Sequence, residues 1–342
     1  PVQKAMELLP IGPVVIIDTP GIDDEGTLGE ERVRRALRVL DKTDIAVLVT
    51  DSTRGLQPAE QELLELFRKR EIPFVIAHNK ADLTSVPAAM PENEIYISAA
   101  ADSNIRELKE LIARAVKPTE PEKRLVADLL APNDTVVLVV PIDSAAPKGR
   151  LILPQVQTIR ELLDKKCLIV TCTTDKLPET LHALAHPPKL IITDSQVFKT
   201  VYEQKPEESK LTSFSVLFAG YKGDIHYYVK SAAAIEMLTE SSRVLIAEAC
   251  THAPLSEDIG RVKLPRLLRK RIGEKLQIDI VGGTDFPQDL TPYSLVIHCG
   301  ACMFNRKYVL SRIELARKQN IPMTNYGVAI AFLNGILDRI EY

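Results

Sequence analysis

The chain has 342 residues, 38.0 kDa and a net charge of −3, from 43 Lys+Arg against 46 Asp+Glu, with a pI near 6.2. Its 45% apolar content and mean hydropathy of −0.01 fit a globular protein with material for two or three domains at roughly 150 residues each. There is no global basic field to attract nucleic acid or anionic lipid. No apolar run approaches the roughly 18 residues of a membrane span, and no signal-peptide pattern opens the chain, so a cytoplasmic location is expected. Five cysteines are too few for a disulfide scaffold. The chain opens at Pro1, in mid-pattern and without a methionine, which reads as a protein whose first part is missing.

Residues 1–116 alternate short apolar runs with amphipathic stretches. Val14 to Asp18, Ile45 to Thr50, Phe74 to Ala77 and Ile95 to Ile97 read as strands; helical spacing recurs at Val33, Ala36, Leu37 and Leu40, at Leu63, Leu64 and Phe67, and at Ile105, Leu108, Leu111 and Ile112. That alternation predicts a parallel sheet covered by helices. After a Pro-bearing linker (Val116 to Glu122), strands are expected at Thr135 to Val140, Leu168 to Thr171 and Leu190 to Thr193, with a helix near Gln155 to Lys165. This unit, residues 123–205, is about 80 residues long, and so small a core favours burying a face against a second subunit. A polar stretch, Gln204 to Lys210, then leads into residues 211–342. Strands are expected there at Val244 to Ala247, Gln277 to Val281 and Leu295 to Ile297, with helices near 232–238, 264–272, 306–318 and 328–337.

Two motifs in the first unit carry nucleotide chemistry. Asp18-Thr19-Pro20-Gly21 directly follows an apolar strand, where the Asp can hold a water of a Mg²⁺ shell and the Gly can offer its N–H to a γ-phosphate. Asn79-Lys80-Ala81-Asp82 follows the next strand but one. Its Asp82 can accept the N1–H and 2-amino hydrogens of guanine, which adenine does not present in that pattern. Ser98-Ala99-Ala100 would bring a backbone N–H to the guanine oxygen. The two motifs together, about 60 residues apart and each at a strand end, resemble the translation-factor-like GTPases, and the resemblance implies Mg²⁺-GTP as ligand. A G-x-x-x-x-G-K-[ST] phosphate loop occurs nowhere in the chain, so this chain by itself is expected to bind and hydrolyse GTP poorly, although a complete protein would be a GTPase.

The last unit carries Cys250-Thr-His252 and, about 45 residues on, His298-Cys299-Gly-Ala-Cys302, each just after an expected strand. If both strands are parallel, three thiols and two imidazoles converge at one carboxyl edge. Cys302 also precedes an expected helix, whose N-terminal N–H groups favour a thiolate. Buried inert cysteines, a structural zinc site and an iron–sulfur cluster are the competing readings. His78, His182, His186, His226, Cys167 and Cys172 read as packing or surface residues.

GTPase motifs followed by this Cys/His spacing resemble the HydF family, the GTPase and scaffold of FeFe-hydrogenase maturation. The resemblance implies three consecutive α/β units: a truncated P-loop GTPase domain (1–116), a small α/β dimerisation domain (123–205) and an α/β iron–sulfur cluster-binding domain (211–342). It implies a 4Fe–4S cluster on Cys250, Cys299 and Cys302, with His252 and His298 as secondary ligands, together with GTP, Mg²⁺, room for a monovalent cation and a transient di-iron precursor as cargo. Implied partners are a second copy of the chain in a homodimer or higher oligomer, radical-SAM maturation enzymes and apo FeFe-hydrogenase, with neither nucleic acid nor membrane. Two rivals stand beside it: a zinc-stabilised GTPase adaptor, and an RNA- or ribosome-associated GTPase using the basic stretch Arg261 to Lys275. The apolar spacing within that stretch reads instead as a packed helix with a solvated cationic face.

Overall fold

A computed structural model describes residues 2–9, 11–19, 39–40, 43–116, 124–126, 129–142, 149, 151–249, 258–283, 285–302 and 304–342. The chain forms two compact units, Pro1–Glu122 and Lys123–Tyr342. The first contains two separate sheets. Strands β1 (Val2–Leu8) and β2 (Gly12–Asp18) pair antiparallel, from Val2 opposite Asp18 to Leu8 opposite Gly12. The expected parallel sheet is built by β3 (Ala46–Asp51), β4 (Phe74–Asn79) and β5 (Glu94–Tyr96) in the order β3-β4-β5. The run at Val14 to Asp18, expected in that sheet, belongs instead to the antiparallel ribbon. A short apolar run specifies a strand but not the direction of its neighbour.

Helix α1 (Pro58–Lys69) starts with Pro at its first turn, where a missing N–H costs nothing, and Glu60 accepts the Gln57 N–H at 2.8 Å. Its Leu64 and Phe67 pack with Leu48, Ile72 and Ile76 into the core of this unit. Helix α2 (Ile105–Ala115) follows β5. On the edge strand β3 the alternate residues Val47 and Val49 stay exposed, whereas their neighbours Val75 and Ala77 on β4 are wholly buried.

The second unit holds two parallel sheets of the same strand order. One is β7-β6-β8-β9, from β6 (Thr135–Val139), β7 (Leu168–Cys172), β8 (Leu190–Thr193) and β9 (Lys210–Ser213). Its helices are α3 (Leu153–Asp164), α4 (Leu177–Ala183), α5 (Phe198–Gln204) and α6 (Phe214–Lys222). Val136 to Val139 are wholly buried, the continuous apolar run of a central parallel strand. Strand β9 lies past the boundary expected at residue 205 and still completes this sheet. Its polar Lys-Leu-Thr-Ser sequence conceals it, because its hydroxyls are satisfied internally. Thr212 donates to the Glu341 carbonyl at 2.7 Å, and Ser213 caps α6 by accepting the Val216 N–H at 3.2 Å.

The other sheet is β11-β10-β12-β13, from β10 (Arg243–Ala247), β11 (Gln277–Val281), β12 (Leu295–His298) and β13 (Met323–Asn325). Helices α7 (Ile225–Ala232), α8 (Leu264–Ile272), α9 (Arg306–Lys318) and α10 (Tyr326–Leu333) accompany it. A single apolar core, including Val137, Phe198, Val216, Leu245, Val296 and Ile313, joins the two sheets into one body. In each sheet the first strand is flanked by the second on one side and the third on the other. The carboxyl ends of β10 and β12 therefore form a topological switch point, the place where open α/β sheets leave a crevice. No helix among the described residues is long and apolar enough to cross a membrane.

Candidate functional site

In the first unit the carboxyl edge of β4 gathers the guanine-type motif. Asn79 Oδ1 accepts the Ala99 N–H at 3.0 Å, and Asp82 Oδ1 accepts the Ser98 hydroxyl at 2.5 Å. Lys80, at a positive φ of 66°, extends its ammonium to Asp51 Oδ2 at 2.6 Å. Asp51 also accepts from the Thr53 hydroxyl at 2.6 Å, and these bonds, that to Lys80 first, hold its carboxyl well below the usual range. Asn79 and Asp82 are thus each tied to the Ser98-Ala99 turn, while Lys80 is clipped to Asp51. An ionised Asp82 keeps further lone pairs for a ligand, since a carboxylate offers about four acceptor sites. The Ala99 amide, in contrast, is already engaged by Asn79. His78 is strand-end packing as expected: it lies between Thr50 Oγ1 (3.0 Å) and Glu94 (2.8 Å) and stacks on Tyr96. Asp18 and Thr19 end the separate ribbon and are exposed. The Asp18 side chain makes no hydrogen bond or ion pair among the described residues, and Pro20 and Gly21 lie outside them.

In the second unit the switch point carries the cysteines. Ala247 at the end of β10 is level with His298 at the end of β12, and the Cys299 N–H donates to the Ala247 carbonyl at 2.9 Å. The Cys299 sulfur accepts two backbone N–H groups, from Ala249 at 3.0 Å and Ala301 at 3.4 Å. Ala301 reaches this position at φ +46°, a left-handed conformation uncommon outside glycine. Burial pushes the Cys299 thiol up, while the two amides act in the opposite direction, toward thiolate. Cys250 and His252 lie outside the described residues, but Ala249, the residue before Cys250, is the one that bonds the Cys299 sulfur. Cys302 sits three residues further on, shortly before α9, whose N-cap Asn305 accepts the Tyr308 N–H at 3.1 Å.

Two residues that the motif reading did not single out hold this loop. Lys222, the buried last residue of α6, donates to the carbonyls of Ala301 (2.8 Å), Cys302 (2.9 Å) and Phe304 (2.7 Å). In return, Arg306 donates to the carbonyls of Tyr221 and Gly223 at the end of α6, both at 3.1 Å. The cysteine loop and the last turn of α6 therefore clamp each other.

His298 is wholly buried with both ring nitrogens in use. Nε2 lies 2.8 Å from Arg312, which can only donate, so Nδ1 carries the hydrogen and donates to the Cys299 carbonyl at 2.6 Å. Burial and the Arg312 charge lower its pKa to about 3, and the ring is neutral. In this arrangement His298 has no nitrogen left for a metal. Arg312 was legible as an anomaly, because Val309, Arg312, Ile313 and Ala316 share the buried stripe of α9. Lys222 offered no such signal, since a lysine ending a helix ordinarily reads as solvated.

Among the described residues no group of three His, Cys, Asp or Glu side chains assembles into a metal site. The donors present still fit an iron–sulfur group: the Cys299 sulfur has two amide hydrogens that would stabilise a thiolate once iron replaces its proton, and soft thiolates are such a cluster's usual ligands. A Cys₃His zinc site using His298 would require displacing Arg312 from Nε2 or the Cys299 carbonyl from Nδ1. Cys167 and Cys172 belong to the other sheet of this unit, and burial raises both thiols. The basic stretch at 261–275 packs Leu264 and Leu268 inward, and Arg261, Arg266, Arg269 and Lys270 line a groove of about 540 Å³.

Comparison with known proteins accounts for most of the chain. Residues 226–341 match the hydrogen maturase F tetramerization domain, residues 125–223 the hydrogen maturase F dimerization domain, and residues 2–80 the 50S ribosome-binding GTPase family. The chain is similar to the tRNA modification GTPase MnmE of Legionella pneumophila, 36% identical over 112 residues, 32% of this chain and 25% of that protein. It is also similar to GTPase Der of Natranaerobius thermophilus, 30% identical over 163 residues, 46% of this chain and 34% of that one. A probable translation initiation factor of Saccharolobus solfataricus is 34% identical over 110 residues, 32% of this chain and 17% of the factor. The chain spans about a third or less of the length of these relatives.

Proposed function

The chain belongs to the hydrogen maturase F family, with a GTPase domain followed by that family's dimerization and tetramerization domains, and from this premise we propose that it is a GTP-regulated scaffold that carries a metallocofactor precursor to apo FeFe-hydrogenase. In this reading Asn79, Lys80 and Asp82 bind guanine beside the Ser98-Ala99 turn, and Asp18 to Gly21 respond to Mg²⁺ and the γ-phosphate. Cys250, Cys299 and Cys302 hold a 4Fe–4S cluster, His252 is a further donor, and His298 positions the Cys299 backbone. Three cysteines would leave one iron of such a cluster without a cysteine ligand, and that position would supply exchangeable ligation for a di-iron precursor made by radical-SAM partners. GTP and its hydrolysis product would time partner association through their differential affinity for two states of the GTPase domain.

The single observation that carries this reading is the Cys299 sulfur at the switch point, taking N–H bonds from Ala249 and Ala301. It is tested by anaerobic reconstitution with iron and sulfide, followed by metal analysis and EPR of the reduced protein. About four iron atoms per chain are expected, falling below about one in Cys299→Ser and Cys302→Ser. Firmly held zinc with no iron uptake would overturn the proposal in favour of a structural metal site.

Self-association has a candidate surface in the dimerization domain. Leu153, Val156 and Leu163 form an exposed apolar stripe on α3, beside the open edge strand β7 with its exposed Leu168. Solvent-facing apolar side chains aligned in this way mark an interaction face. The double variant Val156→Glu/Leu163→Glu is expected to raise the dimer dissociation constant at least about a hundredfold, roughly 2.8 kcal/mol. Light scattering across a concentration series measures it, and a dimer of unchanged affinity would exclude this face.

A further inference from the structure

Among the described residues Arg312 is a buried cation without an anionic partner. Only 4% of it is exposed, and its guanidinium donates to His298 Nε2 (2.8 Å), to the Gly283 carbonyl (2.7 Å) and to the Tyr308 hydroxyl. Its guanidinium carbon lies over the rings of Phe286 and Tyr308, 4.5 and 4.3 Å from their centroids. All of these partners are neutral, and among the described residues no Asp or Glu carboxylate pairs with it. Hydrogen bonds and ring faces hold a guanidinium in place, but they do not cancel its charge, and an uncompensated interior charge is expensive. Cys299 lies within electrostatic reach of it, attached through the relay Arg312–His298–Cys299 carbonyl.

We propose that Arg312 is the fixed counter-charge of the sulfur site at Cys299 and Cys302, favouring the more negative, one-electron-reduced state of the cluster held there. Arg312 is a positioning residue and touches neither cluster nor cargo. Through His298 it sets the ring tautomer that orients the Cys299 backbone, and its positive charge lowers the energy of the site when an electron is added. This inference rests on the reading that the cysteines bind an iron–sulfur cluster.

The experiment is a potentiometric titration of the reconstituted full chain with dithionite as the electron donor, read by EPR of the reduced cluster. Two variants separate charge from structure: Arg312→Gln keeps N–H donors but loses the charge, and Arg312→Lys keeps the charge but loses the planar fork. At the potential where the parent protein is half reduced, Arg312→Gln is expected to lower the reduced-to-oxidised ratio about tenfold, about 59 mV for one electron. Arg312→Lys should stay within about threefold of the parent. If Arg312→Gln does not fold, Arg312→Met fills the slot between Phe286 and Tyr308 without charge and is titrated instead. A normal cluster whose potential is unchanged in the uncharged variant overturns the inference alone, and so do equal shifts in the charged and uncharged variants. A parent protein that takes up no iron overturns the cluster reading and this inference with it.

Discussion

Asp82→Asn is expected to move nucleotide preference from guanosine to xanthosine triphosphate. A carboxylate at Asp82 can accept both the N1–H and the 2-amino hydrogens of guanine, while Ser98 Oγ at 2.5 Å keeps the group oriented through another lone pair. An amide has one accepting and one donating end. Its NH₂ would oppose the guanine 2-amino group, whereas the 2-carbonyl of xanthine would accept from it. A hydrogen bond to a charged group contributes about 1.5–3 kcal/mol, so losing the matched pair should cost guanine about 4 kcal/mol, roughly a thousandfold in affinity. Calorimetry with both nucleotides is the measurement. Equal loss of both nucleotides would instead mean that Asp82 serves the loop alone, as the partner of Ser98. Asp51→Asn is a useful contrast. It weakens the clip on Lys80 at 2.6 Å without touching the base-reading group, so it should lower affinity for both nucleotides alike.

Much of the fold was readable because parallel strands buried on both faces must be apolar throughout. Val136 to Val139, Leu190 to Ile192 and Leu295 to Ile297 are such runs, and each is a strand in the structure. Strand β9 was not readable for the opposite reason. Thr212 and Ser213 are buried through their hydrogen bonds, and no apolar pattern marks a strand whose side chains are satisfied that way. Strand order was also out of reach. The shared arrangement of the two sheets depends on which side of the first strand each crossover takes, and residue periodicity carries no record of that choice.

The candidate sites divide along the same line. Motif residues at strand ends, such as Asn79, Asp82 and Cys299, could be located because each follows an apolar run directly. The residues that hold those motifs come from elsewhere in the chain. Asp51 reaches Lys80 across 29 positions, and Lys222 reaches the Cys302 carbonyl across 80. His298 shows the limit from the other side. Its place in the motif suggests a ligand, and only the partner on α9 reveals that both nitrogens are already committed.

Lys222→Met is expected to loosen the cysteine loop and to lower both stability and iron retention. The Lys222 ammonium gathers the carbonyls of Ala301, Cys302 and Phe304 at the left-handed turn of Ala301. Methionine can fill the same space but leaves those carbonyls facing a thioether. Removing one side of such a buried charged network costs about 3 kcal/mol, and at about 2–4 °C per kcal/mol for a body of this size the melting temperature should fall by about 6–12 °C. The reciprocal bonds from Arg306 to Tyr221 and Gly223 would remain, so the two sheets should stay packed while the loop between them loosens. Iron content after reconstitution should therefore drop by more than the loss of folded protein explains, and comparing metal per folded chain with the circular-dichroism melt separates the two effects. Lys270→Met, on the exposed face of α8, is the control and should change neither. Because Lys222 ends the last helix of the dimerization domain and the cysteine loop lies in the tetramerization domain, the variant also tests whether one domain organises the other's cysteine loop. Full iron binding at a lowered melting temperature would confine Lys222 to stability and leave the loop's shape to its own backbone.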